Sequence, residues 1–408
     1  MIRTVLAAAM LLPAGASAAQ FPLHFDFGRN GNITTDTLYE DARGYGFEPA
    51  KQDAGQRFSI KLPEGSYRVT AELGDPKVAA LTTIKAETRR LMLERVRTAR
   101  GKFITRSFIV NVRTPALPPP PINAPGGTAV RLKNAELTTN SWDNRLTLEF
   151  LGTPAKVAAL TIEPVTLPTV YLAGDSTVTD TAVEPSGSWG QMLTRFFGTD
   201  VAVANHAEGG ETLKSFLAEL RLDKILSTLQ PGDWLLIQFG HNDQKAQWPQ
   251  TYVEAATTYR DYLRAYIGEA RRRGAIPILI TSPERRNFDE QGRIINTHRD
   301  YPDAVRAVAR EENVVLIDLW SMSKTLYEAL GEQRAALAFA DDGRDKTHHN
   351  NYGAYELARM VVQGIRTADP QLTGNLASHL AADAGSFDPA HPDAPEKFNG
   401  QFNFVEQK

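Results

Sequence analysis

Four short segments of the chain carry residues that could do chemistry, and each follows an apolar run. Residues 169–173 lead into Gly174-Asp175-Ser176-Thr177, so Ser176 falls where a strand gives way to a helix. A backbone N–H near a helix N-terminus can help to stabilise an anion. Residues 201–204 lead into Asn205-His206-Ala207-Glu208-Gly209-Gly210, where paired glycines let backbone N–H groups approach a ligand closely. Residues 234–239 lead into Gly240-His241-Asn242-Asp243, and a side-chain amide at a strand end can donate to a developing oxyanion. Last comes Asp345-Lys346-Thr347-His348. A histidine deprotonates a hydroxyl effectively only if an acceptor holds its other ring nitrogen, and an Asp three residues earlier in a turn can reach it. Taken singly, these segments also describe a helix cap, a helix-entry turn, a polar turn and a surface turn. A metal reading of Asp345, His348 and His349 lacks a third well-spaced ligand. What sets the segments apart is their order: serine after the first strand, glycine after the second, asparagine after the third, and Asp-His after the fifth.

The runs that position them, at 169–173, 201–204, 234–239, 276–281 and 314–317, are continuous apolar strands separated by helical patterns. One such pattern, at 251–273, ends in a basic turn followed by Gly274, a helix stop signal. Apolar strands alternating with helices predict a parallel sheet covered on both faces, which binds ligands beyond the C-terminal ends of its strands. Ahead of this region the rhythm differs. Residues 57–62 and 67–71 alternate with period two on either side of Pro63-Glu64-Gly65-Ser66 and predict a hairpin. Residues 145–150 alternate again, and many short strands without long helices predict an antiparallel β-sandwich. The Pro-rich stretch 117–127 reads as a long exposed loop. The expected organisation is a β-sandwich over 20–165, an α/β domain over 166–380 and a polar, extended tail over 381–408.

At the start, Arg3, an apolar run over 5–12 and the small residues Ala16-Ser17-Ala18 form the pattern of a cleavable export signal over 1–18. The expected location is therefore the periplasm or the medium of a bacterium. The run is too short to span a bilayer, and no later stretch is long and apolar enough, so no membrane partner is expected. With 45 Lys+Arg against 48 Asp+Glu the formal charge is −3, without the basic excess of a nucleic-acid binder. Cysteine is absent, which excludes disulfides, thiolate nucleophiles and cysteine-bound metals.

The ordered blocks resemble the SGNH, or GDSL-like, hydrolases. More narrowly, Tyr171-Leu172-Ala173-Gly174-Asp175-Ser176-Thr177, Phe239-Gly240-His241-Asn242-Asp243 and Asp345-Lys346-Thr347-His348 look like those of rhamnogalacturonan acetylesterases, over about residues 166–371. The resemblance implies a flavodoxin-like SGNH hydrolase domain without a cofactor or metal. It also implies Ser176 as nucleophile, His348 as general base and Asp345 as its orienting carboxylate. The implied oxyanion hole is the Ser176 and Gly210 backbone N–H groups with the Asn242 side chain. One block departs: these esterases usually carry Gly-Arg-Ser where this chain has Gly210-Glu211-Thr212. In the N-terminal region, Phe25-Asp26-Phe27-Gly28, Leu62-Pro63-Glu64-Gly65-Ser66-Tyr67-Arg68-Val69 and Trp142-Asp143-Asn144-Arg145-Leu146 look like a galactose-binding-like β-sandwich, which binds sugar or only buttresses its neighbour.

The implied substrate is an acetylated pectic polysaccharide or oligosaccharide. Arg285 and Arg286 follow the fourth strand on the expected ligand face, and arginine's fork suits the galacturonate carboxylate; a solvated charge pair is the alternative. Trp189 and Trp248 are candidates for stacking on sugar rings, or else packing residues. Two competing functions stay open: an SGNH esterase for another acetylated glycan or small ester, and a non-catalytic carbohydrate-binding protein.

Overall fold

The structure, a computed structural model, describes residues 21–396 apart from 29–30, 32 and 50–54, so the expected export signal lies outside the described residues. In the C-terminal half the five apolar runs form one parallel sheet. Its order is Ala202–Asn205, Thr169–Gly174, Trp234–Gln238, Ile276–Ile280, Val315–Ile317. The runs look continuously apolar because both faces are buried. Val170, Leu172, Leu236, Ile278 and Ile280 face helices Leu319–Ala335 and Asn351–Thr367. The residues between them, Tyr171, Ala173, Leu235, Ile237 and Leu279, face helices Leu213–Ala218, Thr258–Arg272 and Tyr301–Glu311. In this flavodoxin-like order the chain reverses direction across the sheet between the first and third strands, and a crevice opens at such a switch point. The strand ends there carry Ser176 and Asn242.

The helix expected over 251–273 begins only at Thr258 and ends at Arg272, with Gly274 at φ +74° just beyond. Tertiary contacts take the first seven residues: the Val253 N–H donates to the Asp243 carbonyl, and Val253's own carbonyl accepts from the Tyr301 hydroxyl.

The N-terminal region folds as two antiparallel sheets. One has the order Leu23–Asp26, Val157–Val165, Gly65–Gly74, Phe103–Val112; the other, Tyr45–Phe47, Gln56–Lys61, Arg145–Gly152, Ala80–Ala86, Arg90–Thr98. Phe58, Ile60, Leu146 and Leu148 of one sheet share a core with Val69, Ala71, Val110 and Ile162 of the other. The expected hairpin over 57–71 is corrected here, because its two arms belong to different sheets. Leu62 continues along its own sheet by donating to the Asn144 carbonyl, and Pro63 to Ser66 carry the chain across the core. Period-two patterning marks which face is buried, and both arms bury theirs against each other without pairing.

The two halves are in close contact. A turn at 87–90 reaches over, where Arg90 pairs with Asp180 at 2.7 Å and Gln191 donates to the Thr88 carbonyl at 2.7 Å. Residues 381–394 form neither helix nor strand yet are anchored, with Ala384 and Phe387 buried in the sheet's core and Asp383 accepting from Nη1 and Nη2 of Arg195.

Candidate active site

Three strand ends and one late turn meet at the switch point. The turn after the first strand is tight: a Cβ on Gly174 would lie 2.5 Å from Val178 Cγ2 and 2.9 Å from the Gln238 carbonyl. Asp175 points inward and caps the turn, its Oδ1 accepting from the Thr177 N–H and hydroxyl, both at 2.9 Å. Burial pushes its carboxyl up, against those two hydrogen bonds. Ser176 is thereby left facing outward, half-buried.

The Asp345–His348 turn is tied down from two sides. His349 is buried, its Nε2 2.7 Å from the Tyr327 hydroxyl and its ring against Phe339, and burial drives its pKa down to about 3. His349 therefore points into the core and shares no site with Asp345 and His348. Arg286 holds the other side, donating from its backbone to the Lys346 carbonyl at 2.8 Å and from its side chain to the Gly343 carbonyl. The turn delivers His348 Nε2 to 3.0 Å from Ser176 Oγ, across 172 residues of sequence. Asp345 Oδ2 lies 2.8 Å from His348 Nδ1, while Oδ1 accepts the Thr347 and His348 N–H groups at 2.7 and 2.9 Å. Burial alone would raise the Asp345 carboxyl, but these donors and the ring hold it below the usual carboxylate range. An ionised Asp345 accepts from Nδ1–H, which leaves a lone pair on Nε2 facing the serine.

Beside this chain, among the described residues, the Ser176 and Gly210 backbone N–H groups have no acceptor. Gly210 sits at φ +82°, the left-handed region that glycine enters without strain. Asn242 is buried. Its Nδ2 donates to the Glu211 carbonyl at 3.1 Å, and its Oδ1 accepts from Lys245 Nζ at 2.7 Å, which leaves one amide N–H uncommitted. Asp243 lies behind it, fully buried, with the Leu213 N–H at 2.9 Å; burial raises its carboxyl to about 8.

Two of the sequence-predicted substrate contacts are corrected. Trp189 is only 1% exposed and spends its Nε1–H on Gln238 Oε1 at 2.8 Å, the same oxygen that meets the Thr177 hydroxyl at 3.1 Å. It buttresses the serine turn from inside and offers no face to a sugar. Arg286 is 8% exposed, committed to Gly343 and packed over Phe339, so it braces the histidine turn. Arg285 is half-buried, its fork divided between the Thr297 hydroxyl and the His241 carbonyl. Trp248, by contrast, is 51% exposed, with Lys245 Nζ 4.6 Å from its ring centre.

Sequence reasoning missed the contacts of three parts of the site. One is a buried chain running from Glu284 through His298 to His241, each step 3.0 Å. Burial alone would raise Glu284, but His298, Thr297 and the Arg285 N–H hold it down to about 2. The second is Glu211, the departing residue, buried in an ion pair with Lys133. The third is Lys133 itself, from the N-terminal half. A lone Lys after a Pro-rich loop carries no local signal of such a contact.

Residues 172–355 match the GDSL-like lipase/acylhydrolase family. Rhamnogalacturonan acetylesterase RhgT of Bacillus subtilis is 41% identical over 222 residues, 51% of this chain and 94% of that protein. The uncharacterized esterase YxiM of the same organism is 26% identical over 377 residues, 84% of this chain and 90% of the relative, so that likeness extends into the N-terminal β region. A crystal structure of YxiM covers 84% of this chain and 97% of its own, with a TM-score of 0.48. The parallel sheet with serine, glycine, asparagine and Asp-His at its strand ends is that of an SGNH hydrolase. The chain belongs to the GDSL-like lipase/acylhydrolase family, and it is a carboxylic ester hydrolase.

Proposed function

We propose that this protein is an exported serine carbohydrate esterase that removes O-acetyl groups from the pectic polysaccharide rhamnogalacturonan. The observation that carries the reading is the unbroken chain from Asp345 through His348 to Ser176, beside two backbone N–H groups that have no acceptor among the described residues. Ser176 Oγ attacks the acetyl carbonyl while His348 Nε2 takes its proton. Asp345 keeps the proton on Nδ1 and stabilises the imidazolium. The Ser176 and Gly210 N–H groups and the uncommitted Asn242 amide N–H receive the negative charge on the former carbonyl oxygen. When the intermediate collapses, the imidazolium returns its proton to the departing sugar oxygen, leaving an acetyl-serine. Water, deprotonated by the same histidine, then releases acetate and restores the serine.

Rhamnogalacturonan is favoured as substrate by the acetylesterase relative at 41% identity and by the polar surroundings of the serine. Exposed Trp248 and Lys245, which is tethered to Asn242, offer an aromatic face and a cation at the mouth of the site, suited to an acidic sugar. Export rests on the segment at 1–18.

The test is acetate release from acetylated rhamnogalacturonan, acetylated xylan and 4-nitrophenyl acetate, with Ser176→Ala as control. Fast release from the pectic polymer, abolished in the variant, is the expected result. Release confined to xylan or the small ester would keep the serine chemistry and overturn the pectic substrate. No release from any of them by a folded protein would overturn the enzymatic reading.

A further inference from the structure

The loop bearing Gly210 is held by a residue from the other half of the molecule. Between strands Phe103–Val112 and Arg145–Gly152 the chain leaves the β region and runs along the segment after the second parallel strand. Arg131 N–H donates to the Glu219 carbonyl at 3.0 Å. Glu136 receives Arg221 through two hydrogen bonds of 2.9 and 2.6 Å, and Trp142 Nε1–H at 2.8 Å. Between these anchors lies Lys133, whose backbone N–H donates to Glu136 Oε2 at 2.8 Å. Its ammonium donates to the Gly209 carbonyl and pairs with the Glu211 carboxylate, so it grips the residues on both sides of Gly210. It also lies 3.7 Å from where a Cβ on Gly210 would be.

Glu211 makes this grip consequential. Its side chain is 1% exposed, with the Ser215 hydroxyl at 2.6 Å, and its carbonyl accepts from Asn242 Nδ2. The carboxylate thus lies within the shell that must receive negative charge during ester cleavage. A buried anion there opposes a developing oxyanion unless a cation neutralises it. Arg221 is a poor substitute: its Nε is 3.9 Å from Glu211, and the guanidinium is committed to Glu136 and Glu219.

We propose that Lys133 is a positioning residue for ester hydrolysis, which neutralises Glu211 and fixes the Gly209–Glu211 loop so that the Gly210 N–H and Asn242 amide face the reacting carbonyl. The N-terminal half then completes the active site instead of standing beside it. The inference rests on the roles proposed above for Gly210 and Asn242.

The experiment uses the full chain and 4-nitrophenyl acetate, a neutral ester too small to reach a polymer subsite. In Lys133→Met, kcat falls roughly 10- to 100-fold, below the full loss of an oxyanion donor, with KM within about twofold of the parent. Lys133→Arg keeps most of the activity. Lys133→Met/Glu211→Gln, which removes both charges, recovers to within about threefold of Glu211→Gln alone. A brace that merely holds the two halves together would not be relieved by changing Glu211. Parental kcat in folded Lys133→Met overturns the proposal, and so does a loss that Glu211→Gln leaves unrelieved. If Lys133→Met does not fold, the double variant decides, since a kcat more than tenfold below Glu211→Gln also overturns it. Failure of the underlying reading looks different: Ser176→Ala would then hydrolyse the ester as fast as the parent.

Discussion

The Asp345 carboxylate makes a graded prediction, because its two oxygens have different partners. Oδ1 accepts two backbone N–H groups at 2.7 and 2.9 Å, and Oδ2 faces His348 Nδ1 at 2.8 Å. In Asp345→Asn the two N–H groups select the amide oxygen for the Oδ1 place, which turns the amide NH2 toward Nδ1. An NH2 facing Nδ1 demands a lone pair there and moves the ring proton to Nε2, where it blocks attack by Ser176. Asp345→Ala loses the charge-assisted hydrogen bond, worth about 1.5–3 kcal/mol, but leaves the tautomer free. That corresponds to a loss of roughly 10- to 150-fold, nearer the lower end because His348 and Asp345 side chains are 46% and 30% exposed and water substitutes in part. The tautomer trap instead costs on the order of 10,000-fold, as in serine proteases with the same change. Steady-state kcat on 4-nitrophenyl acetate at pH 7–8, with melting curves as a folding control, therefore ranks Asn well below Ala. Equal losses in the two variants, or a more active Asn variant, would refute the assigned orientation of the pair.

Other outcomes are equally specific. Asn242→Ala lowers kcat about 100- to 1000-fold with little change in melting temperature, and unchanged turnover would remove Asn242 from the oxyanion site. Trp248→Ala raises KM several-fold on acetylated rhamnogalacturonan and leaves it unaltered on 4-nitrophenyl acetate; parallel shifts on both would count against a sugar platform. Glu284 has a folded pKa of about 2, below its ordinary value of 4.5, so its contribution is fully present above pH 4.5 and fades as pH falls toward 2. That shift corresponds to roughly 3 kcal/mol, and Glu284→Gln should flatten the acid limb of denaturant-measured stability in that window. An unchanged acid limb would show that the His298 chain does not depend on the charge.

The five parallel strands are legible in the chain because a strand buried on both faces is mostly apolar, and short runs such as 234–237 alternating with helical patterns mark a parallel sheet. Ser176, Asn242 and the Asp345–His348 pair are legible for a related reason: each chemistry-bearing residue sits within a few positions of a strand end or of its partner. Arg285, Arg286 and Trp189 show where such reading stops. Their positions in sequence are right for the ligand face, yet Arg286 is spent on the Gly343 carbonyl and Trp189 on Gln238. Which way a side chain turns depends on partners from distant segments. The hairpin over 57–71 fails similarly, since alternation reveals a buried face but not the strand against which it pairs.

The α/β architecture of the C-terminal half, the β character of the region before it, and the residues available for nucleophile, base and oxyanion donors are all readable from the order of amino acids. Those follow from periodicity and from local spacing, which act over a few residues. Tertiary structure alone decided that His348 meets Ser176 across 172 residues, that His349 beside it is a buried anchor, and that Lys133 meets Glu211 at the oxyanion loop. A buried carboxylate requires a counter-charge but does not specify where in the chain it comes from. Only the packing of the N-terminal half against the parallel-sheet half supplies it.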